Sequence, residues 1–203
     1  MDELLDILDE TGEPTGRIAW KSEAHRDGLW HRCFHCWILD PNGPYLLVQR
    51  RAYIKDTWPG YLDVTAAGHL AAGEKSLDGL REVEEELGLR VEPDRLVPLG
   101  TRRIEQEIPA GRDREFHEIF LLFDSTPPSE LRLQTEEVDA VLRIRLEDAP
   151  KLYEQESIPA EEWRFGERFP TRVSLSDFVP NKDEYLSWVA LKARALLDET
   201  PGL

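Results

Sequence analysis

The segment from Gly68 to Leu89 limits what this chain can fold into more than any other stretch. It reads Gly68-His69-Leu70-Ala71-Ala72-Gly73-Glu74, runs on through Lys75 to Leu80, and ends Arg81-Glu82-Val83-Glu84-Glu85-Glu86-Leu87-Gly88-Leu89. The pattern predicts a glycine-bearing loop and then a helix over Leu77–Leu87, with Ser76 as N-cap and Gly88 as the stop. On that helix Glu82, Glu85 and Glu86 fall at i, i+3 and i+4, so their carboxylates share one face. Like charges so placed repel, and a hard divalent cation such as Mg²⁺ or Mn²⁺ is a good compensator because it prefers carboxylate oxygens. Val83 and Leu87 form the packing face, while Arg81 can steady Glu85 or reach back to Glu74. A solvated acidic face is the bland reading of a glutamate run. For an isolated glutamate run that bland reading is the favoured one.

The rest of the chain reads as strands with few helices. Leu4 to Trp20 predicts a hairpin around Glu10-Thr11-Gly12-Glu13-Pro14. Cys33–Leu39 and Tyr45–Gln49 predict strands joined at Asp40-Pro41-Asn42-Gly43-Pro44. Tyr61–Ala67, Leu96–Ile104, Phe116–Phe123 and Val138–Ile144 are further strand candidates. Asp183–Leu197 predicts an amphipathic helix with Leu186, Val189, Ala193, Leu196 and Leu197 on one face. The irregular mixture implies an α+β fold, a mixed β-sheet sandwiched between α-helices. Residues 1–150 are expected to form the main domain, N-terminal hairpin included. Residues 151–203 are expected as a C-terminal extension packed on it, with 151–180 the least patterned part.

A formal charge of −16 disfavours a polynucleotide partner or an anionic membrane surface, both of which select clustered Lys and Arg. A small phosphorylated substrate stays open, since a local basic pocket can exist on an acidic protein. No apolar run approaches the ~20 residues that span a bilayer. The start, Met1-Asp2-Glu3-Leu4-Leu5-Asp6, lacks a basic signal-peptide opening, so the expected location is cytoplasmic. Cys33 and Cys36 then read as reduced, buried thiols.

The Gly68–Leu89 pattern resembles the Nudix box, which implies a Nudix fold and a metal-dependent pyrophosphohydrolase. It departs from that box once: six residues, Lys75–Leu80, separate Glu74 from Arg81 where the family has seven. The departure bears on Glu74 and leaves the spacing of Glu82, Glu85 and Glu86 intact. A longer stretch, Leu4–Leu89, resembles the isopentenyl diphosphate isomerase-like branch of that family. It does so on Gly12-Glu13-Pro14-Thr15-Gly16, Lys21, Ala24-His25, Trp30-His31, Val48-Gln49-Arg50-Arg51-Ala52, Lys55, Trp58-Pro59-Gly60 and Gly68-His69. The resemblance implies that Lys21, Arg51 and Lys55 grip a diphosphate. It also implies that His25, His31, His69 and Glu118 hold a divalent metal. His117, beside Glu118, is read as facing the other way.

Ala67 stands where the isomerases carry a proton-transferring cysteine, and a methyl group cannot move a proton. The expected function is therefore hydrolysis of a diphosphate linkage in a small nucleoside, thiamin or prenyl diphosphate. Gly68, Glu82, Glu85 and Glu86 would hold Mg²⁺ or Mn²⁺, one of these glutamates or Glu118 would act as base, and Glu74, Arg81 and Gly88 would shape the motif. Trp30, Trp37, Trp58 and Tyr53 are candidates to contact the organic group. The alternatives are an isopentenyl diphosphate isomerase and a non-catalytic diphosphate-binding module on the same scaffold. A homodimer is expected from the resemblance alone.

Overall fold

The computed structural model describes residues 2–181 and 183–199. Its first element is the predicted hairpin, β1 (Leu4–Leu8) paired antiparallel with β2 (Pro14–Trp20). Asp9 closes the turn by accepting the Thr11 and Glu13 amides at 2.8 and 3.0 Å. A short helix not read from the sequence, α1 (Lys21–Asp27), follows, stopped by Gly28 in the left-handed region at φ 64°.

Next come β3 (Trp30–Asp40), β4 (Tyr45–Arg51), β5 (Leu62–Asp63), β6 (Ala66–His69) and α2 (Arg81–Leu87). The chain continues through β7 (Leu96–Ile108), β8 (Gly111–Phe123), β9 (Val138–Arg145), β10 (Ile158–Arg164), β11 (Glu167–Val173) and α3 (Tyr185–Glu199).

All the strands join one mixed sheet, ordered β11-β10-β9-β4-β3-β1-β2, from which β6 and the β7–β8 hairpin branch at β3. The long β3 runs parallel to β8 and antiparallel to β4 and β6. Alternation along β3 sends Trp37 and Leu39 to one face, where Leu186, Val189 and Ala193 of α3 cover them. It sends Phe34, Cys36 and Ile38 to the other face, against Val83 and Leu87 of α2. The expected α+β arrangement, a mixed sheet between helices, is what forms. No helix among the described residues is long and apolar enough to cross a membrane.

Three local differences from the sequence reading have clear causes. The strand expected over Tyr61–Ala67 is broken into β5 and β6, because Thr65 uses its hydroxyl in place of a regular ladder. Thr65 Oγ1 accepts the Ile38 amide at 3.0 Å and donates to the Leu47 carbonyl. The helix expected from Leu77 starts as a 3-10 turn over Ser76–Leu80 and becomes α-helical at Arg81. Asp78, not Ser76, caps it by accepting the Lys75 amide at 2.8 Å. Gly79 is needed there because a Cβ would come within 2.5 Å of the Phe34 side chain. Finally, the unpatterned 151–180 segment contains the β10–β11 hairpin, which pairs through β10 with β9. Its two-residue turn places Phe165 and Gly166 at φ 54° and 78°, the left-handed pair that a tight hairpin favours.

Candidate active site

The glycine loop and α2 are fastened together by Arg81. Its Nε donates to Glu74 Oε1 at 3.0 Å, its Nη2 donates to the His69 carbonyl at 2.9 Å, and its Nη1 donates to Glu82. Glu74 also accepts the Ala71 amide at 2.7 Å, so it braces loop and helix at once. The missing residue before Arg81 is absorbed by the 3-10 turn, which rises ~2.0 Å per residue against ~1.5 Å for an α-helix. Gly88, at φ 68°, ends α2 with its amide on the Glu84 carbonyl, as expected of a stop.

The three glutamates of this face are not equivalent. Glu86 is 4% exposed and accepts the Gln49 side-chain amide at 3.1 Å and the Ala67 backbone amide at 3.2 Å. Burial, with the Glu82 charge adding, lifts its pKa to about 8. Glu82 lies against Gly68, and burial lifts it to about 7 despite the opposing pull of Arg81. Glu85 is half exposed at the rim, 3.6 Å from Arg81. Carboxylates that burial pushes toward neutrality, against Arg81 at Glu82 and Lys55 at Glu86, form an all-oxygen donor set that fits a hard divalent ion. A Cβ on Gly68 would overlap the Glu82 carboxylate. Gly68→Ala is therefore expected to displace a flexible side chain at little cost in melting temperature, yet to lower turnover by about 10²-fold, the scale set by misplacing a catalytic group. Steady-state kinetics beside a thermal melt check both halves.

The three cations expected to grip diphosphate are all paired. Arg51 donates to Asp63 at 2.9 Å and to the Thr57 carbonyl, and Lys55 donates to Glu137 while lying near enough to Glu86 to favour its charge. Lys21 lies 3.4 Å from Glu3 Oε1, an atom that is also 3.4 Å from His69 Nδ1. Lys55 therefore flanks the Glu86 side, and Lys21 flanks a second cluster.

That cluster gathers His25 from α1, His31 from β3, His69 from β6 and two acids from β8, Asp113 and Glu115. Glu115 Oε1 is 3.1 Å from His69 Nε2 and 3.5 Å from His31 Nε2. Asp113 Oδ1 is 3.6 Å from His25 Nε2 and 3.7 Å from His31 Nε2. His25 Nε2, His31 Nε2 and Asp113 Oδ1 are buried without a hydrogen-bond partner. Burial and the neighbouring histidines drive His25 down to about 4. Burial opposes charge on His69 too, but Glu115 and Glu3 outweigh it and lift His69 to about 9. Converging, unpaired nitrogen and oxygen donors suit a divalent transition ion such as Mn²⁺.

The carboxylate expected here, Glu118, is elsewhere. Side chains alternate along β8, so Glu118 sits on the α2 face, opposite Phe34 in register and 3.6 Å from Arg32. Asp113, Glu115 and His117 share the other face. His117, expected to face away from the site, donates Nε2–H to Glu115 Oε2 at 2.7 Å. The period-two run Asp113-x-Glu115-x-His117 was the available signal. Of the aromatic candidates, Trp30 packs on Phe116, Trp37 donates to Tyr185 inside the core, and Tyr53 is exposed. Trp58 lines a mostly apolar cleft of about 320 Å³ with Tyr61 and Ile108.

The family model for the NUDIX domain matches residues 29–169. The chain is 35% identical to an uncharacterised Nudix hydrolase of Clostridium acetobutylicum, with 98% of each chain covered. It is 42% identical to an isopentenyl-diphosphate Delta-isomerase of Clavibacter sepedonicus over 47% of this chain and 50% of that one. A solved structure from Deinococcus radiodurans matches with TM-score 0.57 at 23% identity, covering 75% of this chain and 89% of its own, a likeness of fold.

Proposed function

The chain belongs to the Nudix hydrolase family, and from that premise we propose that it hydrolyses a diphosphate linkage in a small organic diphosphate, using Mg²⁺ or Mn²⁺. The observation that carries the reading is the pair of carboxylates, Glu86 buried and Glu82 partly buried, set beside Ala67 and Gly68, where burial holds both above the usual carboxylate range. Glu82, Glu85, Glu86 and the Gly68 carbonyl would hold the ion. When bound, it supplies charge neutralisation on the diphosphate and lowers the pKa of the attacking water. Glu85 at the rim, or Glu118 on the same side of the sheet, takes the proton as water attacks phosphorus. Arg51 and Lys55 exchange their carboxylate partners for non-reacting phosphate oxygens, and Lys21 does so from the other side. The cleft at Trp58 receives the organic group. The reading carries with it a cytoplasmic homodimer acting on small molecules and not on polynucleotides.

His25, His31, His69, Asp113 and Glu115 would hold a second divalent ion. This cluster, with the likeness to isomerases, favours isopentenyl diphosphate isomerisation as the second reading. Ala67 opposes it, since its methyl group cannot exchange a proton with a double bond.

The deciding experiment is a screen of nucleoside, thiamin, prenyl and dinucleotide diphosphates with Mg²⁺ and with Mn²⁺. Phosphate release is measured, and the cleaved bond is located with isotopically labelled water. Metal-stimulated release with label in one product is expected. Isomerisation of the five-carbon diphosphate without release would establish the second reading. Binding without any turnover would reduce the protein to a binding module and sink both.

A further inference from the structure

We propose that His117 is a positioning residue for the histidine–carboxylate cluster: it holds one oxygen of Glu115 so that the other faces the histidine Nε2 atoms. The inference rests on the second-ion reading above and concerns residues outside the donor set. The two oxygens of Glu115 have separate partners. Oε2 lies 2.7 Å from His117 Nε2, while Oε1 points at His69 Nε2 and His31 Nε2, 3.1 and 3.5 Å away. A glutamate's terminal torsion is broad and roughly two-fold, so a carboxylate without such a tether turns freely between presentations.

The tautomer of His117 follows from its other neighbour. Its Nδ1 lies 3.3 Å from Arg102 Nη1, and a guanidinium can only donate. Nδ1 is therefore the acceptor, and the ring proton sits on Nε2, directed at Glu115. Arg102 is itself fixed by Asp183 at 2.7 Å and by Asn181 at 2.8 Å, with its guanidinium 4.3 Å from the centre of the Tyr185 ring.

A second brace holds the imidazole plane. The His35 ring stacks on His117 with centroids 3.8 Å apart. His35 Nδ1 lies 3.1 Å from the Tyr185 hydroxyl, which accepts Trp37 Nε1–H at 3.0 Å and so has its own proton to give to His35. Tyr185 opens α3, so the C-terminal helix and the segment before it set the orientation of a carboxylate on β8. Partners one step behind the ligands typically change metal affinity by about 10–100-fold when removed.

The test titrates Co²⁺, whose visible spectrum reports imidazole ligation, into the full chain and its variants. His31→Ala identifies the signal that belongs to the cluster. His117→Ala is expected to weaken that signal's Co²⁺ affinity by about 10–100-fold. His117→Gln, whose amide can still donate to Glu115, is expected to recover most of it. Melting curves of the metal-free variants separate positioning from folding: the Co²⁺-induced rise in melting temperature should shrink in His117→Ala relative to its own metal-free value. Wild-type affinity in His117→Ala would overturn the inference and leave the second-ion reading standing. A Co²⁺ signal unaffected by His31→Ala, or none in the wild type, would overturn both.

Discussion

Glu86→Gln is expected to lower metal-stimulated turnover by about 10²–10³-fold, the range for losing one electrostatic contact that serves the transition state, while the metal-free protein stays folded. The geometry supports both halves. The amide oxygen can take over the Gln49 and Ala67 donors that now meet Glu86 Oε2, so no buried donor is orphaned. Its amide nitrogen carries no charge, so the repulsion from Glu82 that helps lift the Glu86 pKa is removed. The metal-free melting temperature should therefore hold or rise. What is lost is negative charge for a divalent ion, so the stabilisation that saturating Mg²⁺ gives the wild type should largely vanish. Glu85→Gln, at the exposed rim, should likewise fold and lose turnover. Near-normal rates in both variants would remove the proposed mechanism.

What the sequence made legible was local. The glutamate face of α2 depends only on spacing within one helix, and Gly88 marks its end by a backbone conformation that few other residues adopt. The two core faces of β3 follow from alternation. The rest depended on partners far along the chain. The start of β8 lies outside the strand expected over Phe116–Phe123, because Asp113 and Glu115 reverse the usual order, placing polar groups inward. The resemblance supplied the histidines but steered the acid to Glu118, on the wrong face by strand parity.

The β10–β11 hairpin is not legible in the sequence because β10 is tied down by charge as much as by apolar residues. Glu162 pairs with Arg50, Glu161 with Arg143 and Arg164 with Asp139, contacts that no propensity encodes. The same blindness covers Arg51, Lys55 and Lys21, whose charges the sequence displays and whose carboxylate partners it hides.

Arg81 is the residue whose loss should damage stability and activity together. One guanidinium serves Glu74, Glu82 and the His69 carbonyl, joining the loop that carries Gly68 to the helix that carries the glutamates. Arg81→Ala leaves those carboxylates partly buried and unopposed, which is expected to cost about 2–4 kcal/mol once partial solvent screening is allowed for. For a chain of this size that corresponds to a fall of roughly 5–12 °C in melting temperature. Turnover should drop by about 10²-fold or more, because Gly68 and Glu82 would no longer be held in register.

Arg81→Lys discriminates between charge and shape. An ammonium restores the charge but lacks the planar array of donors that reaches three acceptors on two elements. It should therefore recover less than half of the lost stability and little of the rate. If Arg81→Lys matched the wild type in both melting temperature and turnover, Arg81 would be acting as a simple counter-charge. The loop and helix would then have to be joined by something other than this guanidinium.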